Sequence, residues 1–428
     1  MVETKHPASL RSLIKQFKTP LILILFMVLG FFFRLKMASF FPHQPLYDEK
    51  AYLEFARGMI REVFVADYYA RTYGYPLLLS VVFRIFGHSN LYAIIITQSI
   101  LDTLTAGLLL LISMQIFRKN TWAWLTFFLY LFNPLTASYC GLYLSEIWGI
   151  FLLVLTLYLF VKDGHFIRYV LCGLTLGMFT FTRIMFWWWS IIIMIGLLVR
   201  SRKRIKMIPL IIGFSVTVIY PVMANWRIFK TLSPMPVLPV ALLDFTNSFK
   251  VGRYPAILTQ MYKEIPLEIR DEYWNIVMAS EKNRQVFNFY LKPKLQEAGQ
   301  YIFSHPFVFF LSRLRNIVYY WDKTNLYYYQ DPFYPQDRRY LEVGNAIFLF
   351  TALVGILFQI RKKKKTTGQK YLPVFVLSLL FYLTVPISLL IPEERHVLPA
   401  YPLLCLFIPS GVVMITKTLS FKKISDRV

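Results

Sequence analysis

Apolar residues recur along the chain in long blocks separated by short polar breaks. Mostly apolar windows fall at 20–40, 91–116, 121–139, 145–161, 166–181, 184–199, 207–225, 341–360, 371–391 and 396–416. Each approaches the ~20 residues that an α-helix needs to cross a hydrocarbon layer ~30 Å thick. The pattern predicts an all-α integral membrane protein with about ten transmembrane helices. Two intervening stretches, 41–90 and roughly 226–340, are long, and each contains an apolar run unsuited to crossing. "YGYPLLLSVVFRIFG" (73–87) is short and carries Arg84, and "YIFSHPFVFFLSRLRNIVYYW" (301–321) has the same character. Both are expected to lie as helices in the membrane interface, with the aromatics of "YYYQDPFYP" (327–335) at headgroup depth. The chain thus divides into an N-terminal transmembrane module (1–225), a large outer loop (226–340) and C-terminal helices with a basic tail (341–428).

Composition agrees with that division. Of 428 residues, 57% are hydrophobic and 18% aromatic, against 16% charged, too much apolar surface for a soluble core. A formal net charge of +24 raises nucleic acid as a partner, but the basic residues sit in short clusters between apolar blocks rather than on one folded face. Those clusters are "RKN" (118–120), "KDGHFIR" (162–168), "RSRKRIK" (200–206), "RKKKKTTGQK" (361–370) and "KTLSFKKISDRV" (417–428). The alternate loops, such as "LYLSE" (142–146) and "IPEER" (391–395), are balanced or acidic. The positive-inside rule then places both termini in the cytoplasm and the two long loops outside. The basic N-terminal "KHPASLRSLIKQFK" precedes a run without a small-residue cleavage signature, so a retained first helix is expected. Cys140, Cys172 and Cys405 have neither disulfide nor zinc spacing and read as small packing residues.

Against this apolar background the outer side gathers ionisable residues at helix ends. They are Arg34, Asp48, Glu49, Arg71, Glu146, Arg183, Arg227, Glu393, Glu394, Arg395 and His396, with Asn225 among them. Any one of them alone reads equally well as a charge reaching for the interface. Asp48 and Glu49 also suit the first turn of an amphipathic helix, where acids favour the helix dipole. Together they suggest a polar pocket near the headgroups, and ionisable groups in such a place point to function. Asp102, deep in the second span, reads first as structural. No H-E-x-x-H, G-x-S-x-G or glycine-rich phosphate loop occurs, so nucleotide-driven chemistry has no evident site. An enzyme of this layout would use a substrate that already carries its activation, such as a lipid phosphate held by arginines.

The chain resembles the membrane-embedded glycosyltransferases of the GT-C superfamily, in particular bacterial enzymes like the protein mannosyltransferases and the lipid A aminoarabinose transferases. The likeness is carried by Arg34-Leu35, by Asp48-Glu49 followed by Tyr52, by "GYPLLLSVVFRIFG" and by Asn133-Pro134. It continues through "SYCGLYLSE" ending in Glu146, Thr182-Arg183, Asn225-x-Arg227 and "ERHVLPAYPLL". Those enzymes often carry Pro-Pro or His-Pro-Pro before the interfacial helix, where this chain has Thr72-Tyr73-Gly74-Tyr75-Pro76.

The resemblance implies transfer of one sugar, with inversion, from a polyprenyl-phosphate donor to a lipid, glycan or protein acceptor outside a bacterial inner membrane. Asp48 is then the general base, with Glu49 and Glu146 in support. Arg71, Arg183 and Arg395 hold the donor phosphate, and Tyr52, Tyr75, Arg227 and His396 are candidates for substrate contacts. Asp48, Glu146, Arg183 and Arg395 are expected to face one cavity. A divalent metal ion stays open, although an adjacent Asp-Glu is not the spaced pair that best suggests one. Two other readings are a transporter or lipid flippase, which would place paired charges near the bilayer midplane, and an inactive scaffold that keeps the fold.

Overall fold

A computed structural model describes residues 10–40, 44–45, 48–61, 72–88, 90–117, 120–161, 166–200, 208–229, 232, 293, 296–322, 339–361, 367–386 and 393–425. Among them every regular element is a helix and no strand occurs. The N-terminal part runs α1 (Leu10–Ser39), α2 (Asp48–Arg61), α3 (Gly74–Phe86), α4 (Leu91–Phe117), α5 (Asn120–Leu131) and α6 (Pro134–Tyr139). It continues through α7 (Glu146–Val161), α8 (Phe166–Thr182), a 3-10 turn (Ile184–Phe186), α9 (Trp187–Arg200) and α10 (Ile208–Phe229). Further along the chain come α11 (Pro306–Asp322), α12 (Arg339–Arg361), α13 (Thr367–Thr384), a 3-10 turn (Glu394–Val397), α14 (Ala400–Cys405) and α15 (Ile408–Ser425). The aromatic run at 327–335 and most of 226–340 lie outside the described residues.

Among the described residues three helices are long and apolar enough to cross a membrane, Pro20–Ser39, Leu91–Phe117 and Glu342–Arg361, and they fall on expected spans. Glu146–Val161, Phe166–Thr182, Ile184–Gly196, Ile208–Ala224 and Leu372–Thr384 are shorter apolar helices on five others. The remaining two windows are broken. In 121–139 the 12-residue α5 is only about 18 Å long. Asn133 then caps α6, its side chain accepting from the Leu135 amide at 2.9 Å, and Pro134 takes the first helical position, where a missing N–H costs nothing. The window 396–416 divides into the 3-10 turn, α14 and α15, with Pro399 capping α14 and Pro409 in the first turn of α15. Val397, Leu398, Leu403, Leu404 and Cys405 are fully buried there, so protein rather than lipid surrounds this irregular backbone.

The helices meet through small residues. Gly173 and Gly177 of α8 face α10, where a Cβ on Gly173 would come within 2.8 Å of the Phe214 nitrogen. Gly355 of α12 and Gly411 of α15 oppose one another in the same way. α4 lies centrally, packed on α1, α5 and α7. The exposed side chains of Leu21, Ile24, Leu25, Val28 and Phe32 give α1 an apolar outer face, as a lipid-facing helix requires.

One charged pair lies inside this apolar packing. Arg34 Nε donates to Asp102 Oδ2 at 2.7 Å, and both residues are fully buried. Arg34 Nη1 also donates to the Gly30 and Leu131 carbonyls at 3.0 and 2.7 Å, and the Tyr130 hydroxyl donates to Asp102 Oδ1. The pair ties α1, α4 and α5 together with its partners supplied, which is the condition for burying charge at all. Removing one partner leaves the other charge buried alone, so Asp102→Leu is expected to cost about 3–5 kcal/mol of stability. The double variant Arg34→Met/Asp102→Leu should recover most of that loss in thermal unfolding in detergent. Equal destabilisation of the single and double variants would contradict this account.

Candidate functional site

Asp48 and Glu49 begin α2, where acidic side chains meet the positive end of the helix dipole. With 3.6 residues per turn, neighbours on a helix point about 100° apart, so the two carboxylates part company. Glu49 turns inward, is 0% exposed, and accepts the Tyr143 amide at 2.9 Å. Asp48 turns to the other side and accepts Arg395 Nη2 at 2.6 Å. Tyr52, one turn on, donates to Ser145 Oγ at 3.3 Å and stands edge-on to the Tyr75 ring at 5.1 Å.

These contacts hold the non-helical stretch 140–145 that delivers Glu146. The fully buried Tyr75 donates to Gln98 Oε1 at 3.1 Å, and Gln98 Nε2 donates to the carbonyls of Cys140 and Leu142 at 3.1 and 2.7 Å. Glu146 then opens α7 at 1% exposure. Its Oε1 is 2.8 Å from Arg183 Nη1 and 3.6 Å from Arg395 Nε, so one carboxylate joins two guanidinium groups. Both oxygens are buried and neither makes a hydrogen bond among the described residues, Oε1 being held by ion pairing alone.

Arg183 follows the end of α8, and close packing fixes it there. A Cβ on Gly74 would lie 2.5 Å from the Thr182 nitrogen, and one on Gly149 would lie 3.1 Å from Arg183 Cδ. The Thr72 hydroxyl donates to the Phe181 carbonyl, and Trp148 Nε1 donates to the Gly74 carbonyl at 3.2 Å. The Thr-Tyr-Gly-Tyr-Pro stretch, where the resembled enzymes often have prolines, thus docks the start of α3 against the turn bearing Arg183.

The turn Glu394–Val397 supplies the other side of the site. Arg395 pairs with Glu393 through Nε and, at 3.1 Å, through Nη2, and His396 Nε2 is 3.3 Å from Glu393 Oε2. Burial alone would raise the Glu393 carboxyl, but Arg395 and His396 hold it below its ordinary value. Burial also takes the His396 imidazole below its ordinary value, against the pull of Glu393. Asp48, Glu146, Arg183 and Arg395 therefore converge, with Glu393 and His396 attached. The described cluster holds three carboxylates and two guanidinium groups, one negative charge in excess. Among the described residues no group of three or more His, Cys, Asp or Glu side chains is disposed to hold a metal ion. The acids here are wrapped around guanidinium groups instead.

Other candidates lie elsewhere. Arg227 is exposed in the last turn of α10 rather than in the buried cluster. Arg71 and the side chain of Asn225 fall outside the described residues. Glu393 belongs to the cluster and was not singled out from its run of charges; a two-residue separation from Arg395 gives no helical or strand spacing to mark it. Gln98 carried no signal at all, being one amide in an apolar helix.

No family model matches the chain, and no curated protein matches it. Among solved structures, the apo crystal structure of an oligosaccharyltransferase from Archaeoglobus fulgidus matches with a TM-score of 0.52 at 14% identity. The match covers 94% of this chain and 52% of the archaeal one, so the chain spans about half the length of that protein. The likeness is one of fold.

A test of the cluster's titration follows from its two shifted groups. Both folded values are depressed, so on acidification the unfolded chain takes up protons that the folded one resists. Stability should fall as pH drops below 6.5 through His396, and again below 4.5 through Glu393. His396→Gln should flatten the limb between pH 7 and 5 in melting curves. An unchanged slope in that variant would contradict the assignment.

Proposed function

We propose that this chain is a membrane glycosyltransferase that moves a sugar from a polyprenyl-phosphate donor to a hydroxyl of a lipid, glycan or protein acceptor. The reaction runs on the extracytoplasmic side of a bacterial inner membrane, in a bundle of about ten crossings with both termini cytoplasmic. The contact between Asp48 and Arg395 carries this reading, because it joins the first outer loop to the C-terminal region at a cluster of three acids and two arginines. The archaeal oligosaccharyltransferase fold supports it.

In this mechanism the acceptor oxygen attacks the anomeric carbon from the face opposite the phosphate. The new C–O bond forms as the bond to the phosphate oxygen breaks, the electron pair leaves with the phosphate, and the anomeric configuration inverts. Asp48 takes the acceptor proton, which requires the hydroxyl within about 2.6–3.2 Å of its carboxylate. Arg395 fixes that carboxylate, and with Arg183 it faces the charge growing on the leaving phosphate, a stabilisation that is strong in a partly dry site. Two guanidinium groups already matched by acids leave an anionic donor short of positive charge. Arg71, next to the anchored Thr72, is assigned to supply it. Glu146 orients both arginines, and its unpartnered Oε2 accepts a substrate hydroxyl. Glu49, Tyr52 and Tyr75 are positioning residues, acting through Tyr143, Ser145 and Gln98. The transporter reading looks for intramembrane charge, and the Arg34–Asp102 pair is that charge, but its hydrogen bonds to Gly30, Leu131 and Tyr130 make it a structural tie.

Purified protein in lipid, offered a panel of polyprenyl-phosphate sugars and membrane acceptors, should transfer one of them. Asp48→Asn should lower turnover by about 10²–10⁴-fold while donor binding persists. Turnover in that variant at the wild-type rate would remove Asp48 as the base. A wild-type protein silent with every donor, yet still binding one, would favour the scaffold.

A further inference from the structure

α11 has two unlike faces. Phe307, Phe310, Leu311, Leu314 and Val318 are exposed, Phe307 by 70%, and form an apolar stripe at helical spacing. The opposite face is buried and polar, with Ser312, Arg313, Asn316 and Tyr320 at intervals of three and four. It packs against the turn Glu394–Val397, and the Tyr320 hydroxyl feels the charges of Arg183 and Glu393. The buried polar face thus begins at the cluster and runs away from it.

Arg313 is 6% exposed, yet among the described residues it has no carboxylate partner. Its Nε and Nη2 donate to Ser312 Oγ at 3.2 and 3.1 Å, and its guanidinium lies over the Phe309 ring at 4.9 Å. Nη1 has no acceptor. Asn316, one turn on, is 0% exposed, and both Oδ1 and Nδ2 lack a hydrogen-bond partner. Burial draws the Arg313 guanidinium down from its ordinary value to about 10. A buried cation without an anion beside a buried amide without partners is costly unless something fills the space between them. A guanidinium and an amide N–H together suit a phosphate, through charge-assisted hydrogen bonds.

We propose that Arg313 and Asn316 form a phosphate-binding subsite on the inner face of α11, filled by the phosphate group of a membrane lipid. The exposed apolar stripe seats the outer face of α11 in the membrane interface, so that the subsite on its inner face lies at headgroup depth. Seven residues separate Arg313 from Tyr320, about 10 Å along the helix axis. The subsite is therefore a second position, apart from the leaving phosphate assigned to Arg183 and Arg395. The inference does not depend on sugar transfer, because lipid binding alone reads it.

The full chain in the phosphate-free detergent dodecyl maltoside, titrated with polyprenyl monophosphate, phosphatidylglycerol or inorganic phosphate and followed by native mass spectrometry, tests the proposal. Wild-type protein should retain a phosphate-bearing lipid, and Arg313→Gln should weaken retention by about tenfold or more. Preference for polyprenyl monophosphate would assign the subsite to a polyprenyl carrier. Preference for phosphatidylglycerol would assign it to a headgroup of the bilayer. Both outcomes support a lipid phosphate. Asn316→Asp places a carboxylate beside Arg313 and should leave the melting temperature unchanged or higher while abolishing retention, which a purely structural Asn316 would not do. If Arg313→Gln does not fold, Asn316→Asp and the charge-keeping Arg313→Lys, expected to retain the lipid, decide the matter. Retention unaffected by Asn316→Asp, or inorganic phosphate binding as tightly as either lipid, would overturn the proposal.

Discussion

Glu146 is the point on which the site depends. A carboxylate at 1% exposure persists as a charge only beside cations, and here it has two, Arg183 and Arg395, drawn from opposite halves of the chain. That requirement reaches outward through the fold. Arg395 meets Glu146 from the 3-10 turn Glu394–Val397. Arg183 can meet it only if α8 stops at Thr182 and α3 packs against that end through a glycine. Asp48 enters last, as a third acid on a guanidinium already held in place. The arrangement is preorganised in the sense that its geometry is fixed by surrounding helix ends rather than by substrate.

Most helices were legible because crossing a membrane writes a long, simple pattern. The spans at 20–40, 91–116 and 341–360 are continuous apolar stretches, and the structure places long helices on them. The broken windows were harder to read. Around Asn133-Pro134 and through 396–416 the residues stay apolar because protein surrounds them, so hydropathy does not distinguish a crossing helix from a buried irregular segment. The prolines were the available signal, and their effect depends on whether neighbours satisfy the freed backbone groups.

At the site, residue type was legible and pairing was not. Asp48, Glu146, Arg183 and Arg395 stood out as ionisable residues in apolar surroundings, but no periodicity joins positions 347 residues apart such as Asp48 and Arg395. The parting of Asp48 from Glu49 follows from the helical angle between neighbours once the start of α2 is known. The inward face of α11 lay hidden in a segment whose hydrophobic residues drew attention to its outer face. Asp102, deep in a span, was legible as a buried acid, and Arg34 as an ionisable residue at a helix end, but only three-dimensional packing shows that each answers the other.

Under the proposed function, the cluster that depends on its arginines is also where a lipid-linked sugar would part from its phosphate. An experimental structure of Asp48→Asn protein holding an intact polyprenyl-phosphate sugar tests this most directly. The account predicts the anomeric carbon beside position 48 and the donor phosphate on Arg183 and Arg395. A donor bound away from both arginines, with position 48 turned from the sugar, would contradict it.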